Sequence, residues 1–178
     1  MDKNIVTLVP LEESDRAQFI LDNQEAFRFG AVEKFGMRDD HYEEDGEIIS
    51  RETIEQSIDA KGAEAYRIIK DGRAVGGVVL LIDRETNRNH LGLFFISPRE
   101  HSRGLGFSAW QAIEGLHPET EIWETCTPYF EKRNIHFYIN KCGFHAVEFF
   151  NSFHEDPNLP EEGSDGSGEM LRFEKVMK

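Results

Sequence analysis

The chain has 178 residues, of which 39% are hydrophobic and 30% charged, and a formal net charge of −14. That composition suits a single globular domain spanning residues 1–178, long enough to bury a core without metal ions or disulfides. The acidic excess speaks against nucleic acid, whose phosphates would be repelled over most of the surface, and favours a cationic partner such as an amine.

In chain order, Ile5-Val6-Thr7-Leu8-Val9 alternates and ends at Pro10, which predicts a first strand. Ser14 is placed to cap a helix running through Phe27, with Phe19, Ile20, Asn23 and Phe27 at helical spacing. Periodicity fails from Phe29 to Gly46, where aromatics alternate with acids, and Ser50 to Ala60 reads as a short helix with Ile54 and Ile58 inward. Ala65–Ile69 and Val75–Ile82 predict a hairpin closed by Asp71-Gly72, and Gly76-Gly77 marks a bulge or close packing.

Asp83 to Asn89 is a polar turn, and His90 to Ile96 predicts a central strand. A helix follows from Gly104 to Leu116, then a strand from Glu121 to Thr127, a helix from Tyr129 to Cys142 and a strand from Phe144 to Phe150. Residues 152–168, rich in Pro, Gly, Ser and acids, predict a long mobile loop before a last strand, Met170 to Val176. No apolar run approaches the ~20 residues needed to cross a bilayer. The start Met1-Asp2-Lys3-Asn4 lacks a signal-peptide pattern, so a cytoplasmic protein with no membrane partner is expected. Cys126 and Cys142 have no metal-ligand spacing; they could pair, but reduced, partly buried thiols suit the cytoplasm better.

The stretch of greatest chemical interest follows the strand that ends at Ile96. His101-Ser102-Arg103-Gly104-Leu105-Gly106-Phe107 opens a helix, and such a turn aims free backbone N–H groups and the positive end of the helix dipole at one spot. Gly104 and Gly106 allow the main chain to approach a bulky anion, and Arg103 supplies counter-charge. These residues make a candidate pyrophosphate cradle; the alternative is a plain tight turn.

Further on, Asn134, Tyr138, Gly143 and Phe144 lie on a helix that stops at a glycine and leads into a strand. With both segments in hand, the chain resembles the Gcn5-related N-acetyltransferase (GNAT) superfamily. That family's loop, Gln/Arg-x-x-Gly-x-Gly/Ala, is matched by His101-Ser102-Arg103-Gly104-Leu105-Gly106 except at its first place, and its Asn, Tyr and Gly-Phe signature is matched by the second segment. The likeness is best over Leu91 to Phe150.

The resemblance implies an α/β (α+β) GNAT fold: a mixed central sheet of about seven strands, helices on both faces, and splayed strands four and five holding acyl-coenzyme A. It places the pantetheine arm along the backbone of Phe94, Phe95 and Ile96. The pyrophosphate would lie over Arg103 to Gly106, with His101, Ser102, Phe107 and Asn134 completing the coenzyme site. His101 departs from the usual Gln or Arg, but a neutral imidazole still offers one N–H donor. Acetyl-coenzyme A is the implied co-substrate, no metal is expected, and paired subunits are frequent in the family.

By the same resemblance, Tyr138 faces the leaving sulfur. A phenol of pKa ~10 protonating a thiolate of pKa ~8.5 is uphill by roughly 2 kcal/mol, so Tyr138 is better placed to stabilise developing charge than to act as a strong acid. An alkylamine acceptor is neutral in only roughly one molecule in two thousand at pH 7, so a base must take its proton. Glu124 is the candidate, alternating with Ile122 and Cys126 beside the cleft, and His90 is a lesser one. Direct transfer needs no acyl-enzyme, which leaves Cys126 structural. The acceptor site would fall in residues 27–42 and 153–168; Glu25, Glu33, Tyr42, Glu155 and Asp156 could receive a cation or be merely solvated. The expected function is acetyl-coenzyme A-dependent N-acetyl transfer to a small amine, amino acid or peptide amine. The alternative is a non-catalytic acyl-coenzyme A-binding or protein-interaction module.

Overall fold

The protein, as a computed structural model, is described over residues 5–30, 48–101, 104–157 and 169–177. Its strands are β1 (Thr7–Pro10), β2 (Ala63–Lys70), β3 (Arg73–Leu81), β4 (Arg88–Ile96), β5 (Ile122–Pro128), β6 (His145–Phe150) and β7 (Met170–Val176). Its helices are α1 (Arg16–Arg28), α2 (Arg51–Asp59), α3 (Leu105–Leu116) and α4 (Lys132–His136), the last continuing as a π-helical turn, Phe137–Cys142. The strands form one seven-stranded sheet in the order β1-β2-β3-β4-β5-β7-β6. Every neighbouring pair is antiparallel except β4 and β5, which run parallel.

Local chemistry accounts for most element ends. Asp71 and Gly72 both take positive φ (52° and 76°), as a two-residue hairpin turn with a right-handed twist requires. Ser50 caps α2 by accepting the Thr53 N–H at 3.1 Å. Ser14 does not cap α1. It sits inside a short 3-10 turn, Glu13–Asp15, and the helix follows directly at Arg16 without a side-chain cap. The last helix also starts late, because the Tyr129 N–H donates to the Glu169 carbonyl and the Glu131 N–H to that of Pro128, which uses residues 129–131 as a turn.

Two layers cover the sheet. On one face α1 and α2 bury Phe19, Ile20, Ile54, Leu93 and Phe95. On the other, α3 and α4 bury Trp110, Trp123, Tyr138, Phe144 and Phe173 around Leu91 and Val78. Leu91 and Leu93 are two apart yet face opposite layers, and the register explains it. Val79 pairs with Leu93 and Leu80 with Leu91, so Gly92 is an extra residue, a β-bulge that exchanges the faces of all that follows. Phe94 is thereby turned toward α4, where it stacks on Phe137 with ring centroids 6.0 Å apart, while Phe95 meets Phe19 edge-on at 5.3 Å. Gly77 is small for packing reasons: an added Cβ would lie 2.4 Å from the Phe19 ring and 2.7 Å from that of Phe95. The neighbouring bulge of β3 falls at Val75, beside the glycine pair.

Candidate active site

The parallel pairing of β4 with β5 is short. Arg88, Asn89 and His90 pair with Ile122, Trp123 and Glu124, and the ladder goes no further. One residue on, the Thr125 side chain substitutes for the backbone, its hydroxyl donating to the Leu91 carbonyl at 3.0 Å. Beyond that point the strands diverge and leave an unpaired edge on β4. A cavity of about 990 Å³ opens from this edge, lined by Phe94, Phe95 and Ile96 on one side and Glu131, Asn134 and Tyr138 on the other. The start of α3 forms its floor through Gly104, Leu105, Gly106, Phe107 and Ser108, and the end of α1 closes it with Ala26, Phe27 and Gly30.

At the start of α3, Gly104 takes φ 74°, which an L side chain rarely adopts, and no side chain caps the helix. The Ser108 N–H makes the first bond, to the Gly104 carbonyl at 3.2 Å, so the N–H groups of the preceding turn have no helical partner and face the cavity. Gly106 has a packing reason as well: an added Cβ would lie 3.3 Å from the Phe137 ring. Ser102 and Arg103 lie outside the described residues.

His101 is held from two sides. One ring nitrogen, Nε2, is 2.8 Å from the Ile96 carbonyl and the other, Nδ1, is 2.9 Å from the Arg133 guanidinium. A carbonyl can only accept and a guanidinium only donate, so these two contacts place a proton on Nε2. Two consequences follow. The Ile96 carbonyl is already engaged and the Phe95 carbonyl faces β3, against Gly76, which leaves Phe94 as the open part of the strand edge. Arg133, set in place by His101, brings a fixed positive charge to a cavity whose basic rim also includes His136 and Lys141.

Tyr138 lies on the π-helical turn with 7% of its surface exposed, its ring among Phe137, Phe144 and Phe173 and its edge on the cavity. Burial drives its phenol well above the ordinary value, although the Thr125 hydroxyl partly offsets this, so the group stays protonated and acts as a donor. Asn134 also reaches β5, its amide donating to the Thr127 hydroxyl at 3.4 Å.

Glu124 does not join this group. It faces the opposite layer, away from the cavity lining, and one of its oxygens accepts from both Arg88 and Arg172. Arg172 also donates to Glu174 at 2.7 Å and Glu148 at 2.9 Å, so Glu124 is one member of an ion-pair lattice across β4, β5, β7 and β6. His90 neighbours it, and burial lowers its pKa. Cys126 and Cys142 are free thiols, pushed by burial to about 11 and about 12, which makes both poor nucleophiles. Among the acids suggested for the acceptor, Glu25 and Glu155 are exposed and, like Asp156, stand off the cavity lining; Glu33 and Tyr42 lie outside the described residues.

One carboxylate in the cavity has no sequence signal. Glu131, at the turn into α4, is half-buried, and burial raises its pKa to about 7 against the lowering effect of Arg133. Only the chain reversal at residues 128–131 turns it inward, and no spacing rule reveals that.

The splayed parallel pair, the bulged strand and the open helix N-terminus are matched by sequence evidence. The profile described as "Acetyltransferase (GNAT) family" matches residues 24–144. The chain belongs to the GNAT acetyltransferase family. The uncharacterized protein YrkN of Bacillus subtilis (strain 168) is 47% identical over 179 residues, covering 97% of this chain and 94% of that protein. Among solved GNAT structures, the Escherichia coli ribosomal-protein-S18-alanine N-acetyltransferase superposes with a TM-score of 0.69 at 12% identity, over 98% of this chain and 95% of that one. A Bacillus subtilis acetyltransferase in complex with CoA gives 0.62 at 16% identity, over 98% and 99%. Spermidine N-acetyltransferase from Vibrio cholerae, in complex with CoA and spermine, gives 0.66 at 14% identity, over 96% and 95%. At these identities the solved structures establish the GNAT fold.

Proposed function

We propose that this GNAT protein transfers an acetyl group from acetyl-coenzyme A to an amine by direct attack of the nitrogen on the thioester. The observation that carries this reading is one cavity shared by an unpaired strand edge at Phe94 and an uncapped helix N-terminus at Gly104 to Phe107. An extended amide-bearing arm suits the first and a pyrophosphate suits the second. The cavity is also large enough to take much of a coenzyme-sized ligand.

The protein's own groups then have distinct work. The strand edge offers backbone hydrogen bonds to the arm, the α3 start and Arg133 neutralise phosphate charge, and Asn134 orients the region between. Tyr138 donates a hydrogen bond toward the sulfur as negative charge develops there, which lowers the barrier without a full proton transfer. Catalysis comes chiefly from holding two reactants in register. The acceptor is a small or peptide amine, a class supported by the net charge of −14 and by the spermine-bound relative in the GNAT fold.

Calorimetric titration with acetyl-coenzyme A, repeated in the presence of ATP or NAD, tests the binding half. One-to-one binding that neither nucleotide displaces supports the reading. Tighter binding of ATP or NAD would instead make the glycine turn a site for another phosphate ligand.

A further inference from the structure

We infer that Glu131, and not Glu124, is the group that receives the acceptor amine's proton. This rests on the acetyltransferase reading and adds to it the one step for which that reading names no residue in the cavity. Four observations converge. Glu131 lines the cavity, whereas Glu124 is committed to Arg88 and Arg172 on the far face. The Glu131 carboxylate lies against the end of α1, where a Cβ on Gly30 would touch Oε1 at 3.5 Å. It therefore lies where the end of α1 meets the cavity, which Ala26 and Phe27 also line. Finally, among the described residues its carboxylate has no hydrogen-bond or ion-pair partner, so nothing competes for an incoming N–H.

A half-buried carboxylate in a cavity that Phe27, Phe95 and Ala26 also line has the right chemistry to draw in an alkylammonium and to take its proton. Its raised pKa is consistent with this, since a base that titrates near working pH is both available and effective. The titratable and charged groups that share the cavity among the described residues are Arg133, His101, His136, Lys141, Glu100 and Tyr138. Arg133 is the one that acts on Glu131 appreciably, and it favours the carboxylate.

The step balances simply. The ammonium N–H passes its proton to a Glu131 oxygen, and the freed lone pair forms the C–N bond to the acetyl carbon. The C–S bond then breaks, and the sulfur leaves with the second proton shed by that nitrogen. Glu131 returns its proton to water, so each turnover yields the amide, the thiol and one proton.

The test compares wild type with Glu131→Gln and Glu131→Asp in two ways. Thiol release from acetyl-coenzyme A, with spermidine as the probe amine, is followed from pH 5 to pH 9.5. The expected wild-type kcat/KM profile has a lower limb near pH 7. Glu131→Gln should lose that limb and at least tenfold of the rate at pH 7.5, Glu131→Asp should recover part of it, and acetyl-coenzyme A affinity should stay within about twofold for all three. An unchanged profile in Glu131→Gln would overturn the assignment while leaving the transferase intact. Failure of acetyl-coenzyme A to bind any of the three would instead sink the acetyltransferase reading. Carbon-13 NMR titration of the Glu131 carboxyl needs no turnover: titration near 7 in the coenzyme A complex supports the role, and an ordinary carboxylate value overturns it.

Discussion

Tyr138 and Glu131 are a tyrosine and a glutamate whose surroundings push both pKa values upward, and the proposed reaction would use them in opposite ways. The Tyr138 phenol is buried among Phe137, Phe144 and Phe173 and remains a donor. Tyr138→Phe should lower kcat by about tenfold to a hundredfold, as the loss of one charge-stabilising donor does, with acetyl-coenzyme A affinity unchanged in calorimetry. The Glu131 carboxyl, at about 7 in the folded protein against 4.5 for a free side chain, makes a prediction about stability. Between those values the folded state holds more proton than the unfolded chain, so this group's contribution to stability falls as pH rises and reaches its full penalty above pH 7. Glu131→Gln should therefore be more stable than wild type at pH 8, by about 1–2 kcal/mol after allowing for partial exposure, and no more stable at pH 4.5. Urea unfolding at the two pH values measures the difference.

The element that does most for the site is the strand-turn-helix from β4 to α3. The Gly92 bulge turns Phe94 to α4 and Phe95 to α1, the early end of the β4–β5 ladder frees an edge, and Gly104 lets α3 begin with unpaired N–H groups. Gly104→Ala should destabilise the fold by about 1–2 kcal/mol, the cost of a Cβ in the left-handed region, and weaken acetyl-coenzyme A binding as the helix start shifts. Denaturant titration and calorimetry check the two effects separately. The apolar run from Leu91 to Ile96 and the glycines at the start of α3 make this element readable from sequence, because each is a local rule with a local cause. The bulge was not readable: an inserted backbone residue changes which face a side chain meets without altering its hydrophobicity. The same limit applies at the end of α4, where a π-helical turn carries Tyr138, and at the 128–131 reversal, where main-chain bonds to Pro128 and Glu169 decide where Glu131 points.

Across the whole molecule, the sheet separates two environments. The α3–α4 side brings a helix N-terminus and the cationic side chains of Arg133 and Lys141 to a protein of net charge −14, so the coenzyme of the proposed reaction would be drawn to one place and repelled elsewhere. The α1–α2 side leaves β5, β7 and β6 covered by an ion-pair lattice that includes Glu124, Glu148, Glu174, Arg88 and Arg172. Glu124 looked catalytic from sequence because strand alternation fixes a face and says nothing about which charges occupy the neighbouring strands. The cavity takes its lining from both sides beyond the point where β4 and β5 part, and the proposed reaction would bring thioester and amine together there. The most direct test is thiol release from acetyl-coenzyme A across a panel of polyamines, amino acids, aminoglycosides and basic peptides. Acceptor-dependent release that Tyr138→Phe reduces is the predicted result. Bound acetyl-coenzyme A with no release across the panel would contradict it and make the protein a binding module of the same fold.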